Sequence, residues 1–530
     1  MKERQSQGPE FTINIDFVKK FYYLLESHKI TTIFMAAGFR CAPFIKSLEF
    51  VPHFKSFNHY DERSLAYMSL QWNKSNPKDL SVLICTSGSA LSNFYPALLE
   101  AYKQNIPMLI ISSDRPPYLV QGDDNQTLDQ LNFYGKFCDY FYSIPYISQI
   151  KEHTFKEISF YLHRFTSTEP NKNARVHFNI SFDSPLIVLN HSDGPIHSSS
   201  YQNYKELSSW PQLDYSKRTL LIFGSLFPHE QQLSSTLSFY KKISSVLNSL
   251  QIPYYLDIGS QLKGVCSNPW EVKSLNFVLK DKEFDQIILI GGRPLSKDFT
   301  LLRGANLFHW NTQSHFCQMT HLNLNIFRYF EDPWKWFDST IPTVQSPYNF
   351  SNEWKKDDPL VSFCYQNLSS LNSLLFLGNS LICRNFDTYL SYCPFENKGL
   401  TFFPGVFLNR GHSGIEGNVA SACAMALANK QSKVLAVIGD ISFLYDLNAL
   451  ELFFKYKLTN LKIIIYNNFE GGIFKKLEYH HDYMCTPHKV NFQKIVEGFN
   501  LGFTLIKDLG PTHIWDQPFD IIEYQINENL

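Results

Sequence analysis

The feature that most constrains this sequence is a pair of apolar, β-branched runs near its C-terminal end. Residues 434–438 and residues 462–466 are typical of buried strands. The segment between them has apolar residues at helical spacing, which predicts one amphipathic helix. Its buried face would carry Phe443, Leu447, Leu450 and Phe454. Two strands joined by a helix form a βαβ unit with parallel strands. The sequence therefore predicts an α/β fold.

Polar residues follow both of these strands. Gly439 and Asp440 come after the first strand, and Asn468 follows the second. Because ligands of open parallel sheets bind at the carboxyl ends of the strands, we expect these side chains to converge. Carboxylate and amide oxygens suit a magnesium ion that carries a diphosphate, and a helix N-terminus favours the anion. The alternative is an ordinary βαβ unit whose turn happens to contain an aspartate.

Composition restricts the class of protein. A chain of 530 residues suggests about three domains of typical size, and its net charge of −1 gives no reason to expect nucleic acid or an anionic membrane as a partner. No apolar run approaches the roughly 18–20 residues that cross a bilayer, and the first residues lack the apolar core of a signal peptide. The ten cysteines include no C-x-x-C pair, which favours reduced, buried thiols. We expect a cytoplasmic protein without a membrane span.

Further strand-like runs extend this pattern along the chain. In the first segment they occupy residues 31–36, 81–85 and 108–112, and each ends in a small or charged turn. Later runs occupy residues 219–223, 286–290 and 374–377. Polar linkers lie at about 190–215 and 340–358. The predicted fold is therefore three doubly wound parallel-sheet domains, at residues 1–190, 210–340 and 355–530. The turn at Gly291 lacks the G-x-G-x-x-G pattern, so no dinucleotide is expected there.

Several motifs resemble those of the thiamine-diphosphate-dependent enzymes, and among them the carboligases of menaquinone biosynthesis. They are GDISFLYDLNAL, NNFEGGIF, CTSGSALSNFYPALLEA, SSDRPP and NRGHSGIEG. The resemblance covers most of the chain and is weakest in the middle and in the last thirty residues. It implies a pyrimidine-binding domain at 1–190, a central domain similar to transhydrogenase domain III at 210–340, and a diphosphate-binding domain at 355–530. It also implies thiamine diphosphate and Mg²⁺ (or Mn²⁺) as cofactors.

The same resemblance assigns residues to the cofactor. Glu62 matches the family's activating glutamate, which exchanges a proton with the pyrimidine ring and should be shielded from water, since burial tunes its pKa. Taken alone, Asp61 and Glu62 could be ordinary acids at a helix N-terminus. The metal ligands would be Asp440, Asn468 and a backbone carbonyl near Glu470. Further cofactor contacts are expected from Thr86, Ser87, Gly88, Ile415, Gly439, Ser442 and Phe474, with Ile415 supporting the bent cofactor.

The carboligases of this branch are transferases that decarboxylate 2-oxoglutarate and add the resulting succinic-semialdehyde carbanion to isochorismate. Because both substrates carry carboxylates, cationic and polar residues should surround them. The matching positions are Arg40, Arg115, Gln126, Lys297, Ser380, Arg384 and Arg410. This sequence departs from the family at Phe39 and Asp298, where serine and arginine are usual. The family's active sites lie at a subunit interface, which implies a homodimer or homotetramer.

Three alternatives stay open. One is a related thiamine-diphosphate 2-oxoacid decarboxylase or carboligase with other substrates, and another is a catalytically silent paralogue that acts as a binding protein. The retained Glu62, Asp440 and Asn468 argue against the second. A flavin-bearing relative is disfavoured, because the middle segment has no recognisable flavin loop. Residues 478–485, with His488, contain many metal-capable side chains, but they lack a zinc spacing and are interpreted as a polar loop.

Overall fold

The computed structural model divides the chain into two compact units, Met1–Leu207 and Ser208–Leu530. Each unit is described below by itself. The described residues are 13–117, 120, 126–166, 174–183, 186–187, 218–224, 253–257, 260, 284–290, 294, 306–310, 324–327, 358–368, 373–392, 405–471, 485–509 and 513–526. Within these ranges the strands form three sheets, and every strand pair is parallel.

The first unit is built on a six-stranded sheet. Its strands are β1 (Thr32–Ala36), β2 (Lys55–Asn58), β3 (Ser81–Cys85), β4 (Met108–Asp114), β5 (Tyr140–Ile144) and β6 (Arg175–Ser181). Its helices are α1 (Ile13–Ser27), α2 (Ala42–Ser47), α3 (Glu62–Ser75), α4 (Ala90–Asn93), α5 (Tyr95–Gln104) and α6 (Glu152–Thr166). The strand order is β2-β1-β3-β4-β6-β5. The strands β1, β3, β4 and β6 are buried along their whole length, as expected of a parallel sheet covered by helices on both faces.

The strand order creates a crevice at the carboxyl ends of β1 and β3. The chain leaves β1 toward β2 on one side, while β3 lies on the other, and such a reversal is where open α/β sheets bind ligands. A Cβ atom added to Gly38 would lie 2.5 Å from Cβ of Thr86. The turns after β1 and β3 therefore approach so closely that a side chain at position 38 would collide with Thr86.

The second unit contains two sheets. A five-stranded sheet is formed by β7 (Thr219–Phe223), β8 (Tyr254–Leu256), β9 (Gln286–Ile290), β10 (Asn306–Trp310) and β11 (Leu324–Phe327). Its order is β11-β10-β9-β7-β8. A six-stranded sheet is formed by β12 (Ser373–Leu377), β13 (Val406–Phe407), β14 (Lys433–Gly439), β15 (Leu461–Asn467), β16 (Phe503–Ile506) and β17 (Ile521–Gln525). The hydroxyl of Tyr255 donates a hydrogen bond to Asp387 Oδ2 (3.0 Å), which joins the five-stranded sheet to a helix beside the six-stranded one.

The six-stranded sheet of the second unit has the order β13-β12-β14-β15-β17-β16. Its helices are α7 (Pro359–Asn367), α8 (Leu381–Tyr392), α9 (Asn418–Ala428), α10 (Asp440–Tyr445), α11 (Glu451–Tyr456) and α12 (Phe492–Gly498). The chain leaves β12 toward β13 on one side, while β14 lies on the other. The second crevice therefore lies at the carboxyl ends of β12 and β14. A Cβ atom on Gly378 would lie 3.2 Å from the Ile438 Cα atom, so the backbones of these two strand ends are in close contact.

The structure confirms the fold class and each of the predicted strands. The prediction of a single amphipathic helix is wrong. Helix α10 ends at Tyr445, a 3₁₀ turn covers Leu447–Leu450, and α11 follows. The break lies at Asp446, whose buried Oδ2 atom accepts a hydrogen bond from the Ala420 amide (3.0 Å). The break changes the helical phase, so Phe454, expected on the buried face, is 63% exposed. The domain boundaries remain a prediction.

Two other expectations concern helices and cysteines. None of the helices among the described residues is long and apolar enough to cross a membrane. The seven cysteines in the described ranges are all free, and five of them are buried. Burial raises the pKa of the Cys85 and Cys423 thiols well above their ordinary value, so these side chains behave as small apolar groups.

Candidate active site

Asp440 lies at the carboxyl end of β14, and its side chain contacts the backbone amide of Asn468, which follows β15. The Asp440 side chain is 4% exposed. Asp440 Oδ1 accepts from the Ile441 amide (2.8 Å), and Oδ2 accepts from the Asn468 amide (3.3 Å). Asn468 Oδ1 in turn accepts from the amides of Glu470 (3.3 Å) and Gly471 (3.0 Å), so the turn after β15 folds around its own amide oxygen. Parallel pairing of β14 with β15 explains the contact of Asp440 with Asn468.

These donors fit a magnesium–diphosphate group by their chemistry. A buried carboxylate, an amide oxygen and backbone carbonyls are hard oxygen ligands, and Mg²⁺ usually takes few of these from a protein together with phosphate oxygens. Gly439, just before Asp440, has open space where a Cβ atom would be. Within the described ranges there is no group of three or more His, Cys, Asp or Glu side chains that could hold a metal. A zinc site of that composition is therefore not seen there.

A short segment around Thr486 and His488 contacts this turn. The Thr486 amide donates to the Glu470 carbonyl (2.8 Å), and the His488 amide donates to the Phe469 carbonyl (2.8 Å). The His488 ring reaches Asp440, with Nε2 3.2 Å from Oδ2. The interpretation of this region as a polar loop did not predict such a contact. Residues 478–484 lie outside the described part of the chain.

Two of the predicted substrate arginines are in the second unit: Arg384 lies in α8, and Arg410 follows β13. Burial raises the pKa of the Cys383 thiol, although the positive charges of Arg410 and Arg384 act in the opposite direction. Arg410 Nη1 donates to Asn379 Oδ1 (2.6 Å) and to Ser413 Oγ (3.0 Å). Arg384 Nε is buried and has no hydrogen-bond partner among the residues that the structure describes. A buried guanidinium nitrogen of this kind needs an acceptor, and a substrate carboxylate would satisfy it.

Other predicted contacts of the second unit are Ser380, Ile415 and Ser442. Ser380 Oγ accepts from the Ile382 amide (3.1 Å) at the start of α8. Ile415 is 37% exposed, so an apolar side chain is available to a ligand, as its proposed supporting role requires. Ser442 is buried in α10. Lys297 and Phe474, together with Asp298, lie outside the described residues.

In the first unit, the turn after β3 is held by a closed ring of hydrogen bonds, here called the Gly88 ring. Gly88, with φ +86°, donates through its amide to Gln130 Oε1 (3.0 Å). Gln130 Nε2 donates to Asn179 Oδ1 (2.8 Å), and Asn179 Nδ2 donates to Asp114 Oδ2 (2.8 Å). These side chains are almost completely buried. The sequence analysis missed Gln130 and Asn179, since isolated amides carry no spacing signal.

Arg115 closes the Gly88 ring. Its amide donates to Asp114 Oδ1 (2.7 Å), and its Nη1 donates to Ser87 Oγ (2.6 Å) and to the Gln126 carbonyl (2.9 Å). Gln126 Nε2 donates to the Ser87 carbonyl (3.0 Å). Burial raises the pKa of Asp114, although its hydrogen bonds and the charges of Arg115 and Arg40 act in the opposite direction. The structure thus brings four predicted site residues together around Ser87.

Glu62 is the first residue of α3, and Asp61 is its N-cap. Asp61 Oδ1 accepts from the amides of Arg63 (2.9 Å) and Ser64 (3.4 Å). Glu62 takes no part in this cap; instead its Oε2 accepts from Asn93 Nδ2 (3.1 Å). The shielding of Glu62 from water stays a prediction; in the single chain this residue is partly exposed. Glu62 stands at the N-terminal end of α3, where the Asn93 side chain contacts it.

Two further predicted residues lie at the same strand ends. Thr86 is buried against Gly38. Arg40 Nη1 donates to the Phe182 carbonyl (2.8 Å), while Phe39 beside it is 81% exposed.

Two models of known protein families match parts of this chain. The family model described as "Thiamine pyrophosphate enzyme, N-terminal TPP binding domain" matches residues 15–133, which contain Glu62 and the turn after β3. The model described as "Thiamine pyrophosphate enzyme, C-terminal TPP binding domain" matches residues 397–510, which contain Asp440, Asn468 and His488.

Several curated bacterial proteins are similar over most of their length. All three described here are named 2-succinyl-5-enolpyruvyl-6-hydroxy-3-cyclohexene-1-carboxylate synthase. The protein from Cytophaga hutchinsonii is 28% identical, covering 86% of this chain and 84% of the relative. That from Lysinibacillus sphaericus is 26% identical, covering 93% and 90%. That from Syntrophus aciditrophicus is 28% identical, covering 90% and 89%.

Solved structures agree in fold. The thiamine diphosphate-dependent 4-hydroxybenzoylformate decarboxylase of Rhodococcus jostii RHA1 superposes with a TM-score of 0.70 over 97% of this chain and 99% of its own, at 14% identity. A thiamin diphosphate-dependent enzyme from Mycobacterium smegmatis gives a TM-score of 0.69 over the same shares, at 13% identity. At these identities the likeness concerns the fold alone.

Proposed function

We propose that this chain, which belongs to the thiamine-diphosphate-dependent enzymes, is a carboligase that releases CO2 from 2-oxoglutarate and joins the remaining four-carbon unit to isochorismate. This is the reaction of 2-succinyl-5-enolpyruvyl-6-hydroxy-3-cyclohexene-1-carboxylate synthase, a transferase of menaquinone biosynthesis. The observation that carries the proposal is the contact of the buried Asp440 carboxylate with Asn468 at one strand edge, in the same unit as Arg384, whose buried Nε has no hydrogen-bond partner among the described residues. The enzyme would work in the cytoplasm as a homodimer or homotetramer with active sites at the subunit interface.

The cofactor site follows from the strand ends. Asp440, the Asn468 amide oxygen and the Glu470 carbonyl would hold Mg²⁺ or Mn²⁺, and Gly439 and Ser442 would lie beside the diphosphate. Thr86, Ser87, Gly88, Ile415 and Phe474 would contact the rest of thiamine diphosphate. The bound cofactor would supply a nucleophilic carbon and an electron sink, which no side chain provides. Glu62, held by Asn93, would exchange the activating proton at its carboxylate.

The substrate side depends on charge. Arg384 and Arg410 would bind carboxylates, because a planar guanidinium can form two parallel hydrogen bonds to a carboxylate. Ser380, Arg40, Arg115, Gln126 and Lys297 would complete this side. Arg384 is supported by its buried Nε, which has no hydrogen-bond partner among the described residues.

A coupled turnover assay tests the proposal. The purified protein is incubated with thiamine diphosphate, Mg²⁺ and 2-oxoglutarate, with and without isochorismate, and CO2 and the joined product are measured. The proposal predicts a product that requires isochorismate and is lost in Glu62→Gln. Cofactor binding with turnover of pyruvate or another 2-oxoacid, and no joined product, would instead indicate a related enzyme with other substrates.

A further inference from the structure

A buried histidine–aspartate pair lies at the carboxyl end of β14. His488 and Asp440 have side chains that are 8% and 4% exposed, and Nε2 lies 3.2 Å from Oδ2. The other ring nitrogen, Nδ1, accepts a hydrogen bond from the Val490 amide (3.3 Å). A neutral imidazole that accepts at Nδ1 carries its proton on Nε2. His488 is therefore oriented to donate to Asp440 Oδ2.

The position of His488 is fixed from two sides. Its amide donates to the Phe469 carbonyl, in the turn that follows Asn468. Its ring packs at 6.1 Å from the Phe469 ring and edge-on at 5.8 Å from that of Phe492, the first residue of α12. Phe492 in turn packs edge-on against Phe443 of α10, at 5.7 Å. The imidazole thus has the same two neighbours as Asp440: the turn after β15 and the helix that Asp440 begins.

We propose that His488 is a positioning residue of the metal site, which orients the Asp440 carboxylate toward the cation. A carboxylate oxygen accepts more than one hydrogen bond or metal bond, so Oδ2 can keep its contact with Nε2 while the group binds a metal. Groups that orient a metal ligand in this way typically change metal affinity by about 10- to 100-fold when removed. The inference rests on the metal–diphosphate site of the proposed function and is independent of the substrates.

The same contact also joins two parts of the chain that differ in sequence position by 48 residues. The segment around Thr486 and His488 is paired with the turn that carries Asn468. Loading of the metal and the diphosphate should therefore stabilise this segment, since the ligand would add bonds to groups that already contact it. A histidine whose role is only to fill space between Phe469 and Phe492 would not have this effect.

Three variants separate the hydrogen bond from the packing. His488→Phe keeps an aromatic ring between Phe469 and Phe492 but removes the donor, and His488→Leu serves the same purpose if the first variant does not fold. His488→Gln keeps an N–H donor. Phe492→Leu is the matched control, because it removes a ring contact of His488 and leaves the donor in place.

Mg²⁺ affinity is measured by calorimetry at saturating thiamine diphosphate, and the melting temperature is measured in EDTA and with both ligands. We expect His488→Phe to weaken Mg²⁺ binding by about 10- to 100-fold, with His488→Gln and Phe492→Leu within about threefold of wild type. His488→Phe should also lose most of the increase in melting temperature that the ligands cause. Wild-type affinity in His488→Phe, or equal losses in the Phe and Gln variants, would overturn the inference. Failure of the wild-type protein to bind Mg²⁺ with thiamine diphosphate would overturn the proposed function as well.

Discussion

The two six-stranded sheets, one in each unit, have the same topology and different chemistry. Both are fully parallel, and the orders β2-β1-β3-β4-β6-β5 and β13-β12-β14-β15-β17-β16 correspond strand for strand. In both, the strand order changes direction at the first strand of the sheet, because the second strand lies on one side of it and the third on the other. The crevice therefore falls at equivalent strand ends. At the first crevice lie Thr86 and the Gly88 ring, whereas Asp440 lies at the second. The topology determines where a ligand can bind, and the residues after each strand determine which ligand.

The two strand edges also differ in the polar groups that they carry. In the first unit, Gln130 and Asn179 are neutral amides that donate and accept within the Gly88 ring. In the second unit, Arg384 Nε has no partner in the described part of the chain, and Ile415 is exposed. We therefore expect the Gly88 ring mainly to support the turn after β3, and the second edge to bind charged ligand groups. This contrast can be tested from both sides.

The largest effect should come from Glu62→Gln. Loss of a general acid–base group typically slows proton transfer by about 10²- to 10⁴-fold. We expect hydrogen–deuterium exchange at the reactive carbon of the bound cofactor, followed by NMR, to slow by this factor. Asn93→Ala removes the side-chain amide that donates to Glu62 and should give a smaller loss. Equal exchange rates in Glu62→Gln and wild type would show that Glu62 does not take part in proton exchange at the cofactor.

Arg384→Gln should have the next largest effect. A hydrogen bond to a charged group contributes about 1.5–3 kcal/mol, so the KM for 2-oxoglutarate or isochorismate should rise by roughly 10- to 150-fold. Arg384→Lys keeps the charge and loses the planar fork, and should recover only part of the loss. Steady-state kinetics with each substrate varied in turn measure the change. An unchanged KM for both substrates would contradict the role given to the buried Nε.

Gln130→Met tests the Gly88 ring. It removes the acceptor of the Gly88 amide and the donor to Asn179, and leaving buried polar groups unsatisfied costs about 1–3 kcal/mol. Urea unfolding should show this loss, while Mg²⁺ affinity at the second unit stays within about threefold of wild type. Gln149→Met on the first unit is the control, since Gln149 is exposed. A Gln130→Met protein with wild-type stability would mean that the ring does not support the turn after β3.

The fourth prediction concerns pH. Burial lowers the pKa of His177, whose Nε2 contacts Ser112 Oγ (2.7 Å), to about 3. In the unfolded chain the His177 imidazole is protonated below about pH 6.5, so above this pH its titration does not change the free energy of unfolding. As pH falls from about 6.5 toward 3, the unfolded imidazole binds a proton that the folded one does not. The free energy of unfolding should therefore fall by about 1.4 kcal/mol per pH unit.

His177→Gln should therefore reduce the loss of stability between pH 6.5 and 4, relative to wild type, in urea titrations at each pH. Exposed His153 on α6 provides the control, and His153→Gln should follow the wild-type curve. Comparing variants isolates His177 from Asp114, whose raised pKa acts in the opposite direction. Parallel curves for His177→Gln and wild type would show that the buried imidazole is not the source of the acid sensitivity.

The sequence predicted the elements with a periodic or motif signal and missed those without one. Strand bounds such as β14 and the meeting of Asp440 with Asn468 follow from apolar runs and parallel pairing. The prediction of one continuous helix after Asp440 is wrong, because a hydrogen bond between the Asp446 side chain and the Ala420 amide of another helix interrupts it. Helical spacing in the sequence cannot show such a long-range hydrogen bond. The contact of His488 depends on a chain reversal with no local signal.

The central claim is that the second unit holds the cofactor through its metal, while Glu62 of the first unit acts on protons. Calorimetric titration of thiamine diphosphate with Mg²⁺ into wild type, Asp440→Asn and Glu62→Gln tests it most directly. Asp446→Asn, which changes a buried aspartate that bonds to Ala420, is the control for a general loss of stability. The account predicts a loss of affinity of about 100-fold or more in Asp440→Asn, because the carboxylate that binds the metal is gone, and near wild-type affinity in Glu62→Gln. Equal affinities in Asp440→Asn and wild type, or a loss confined to Glu62→Gln, would contradict it.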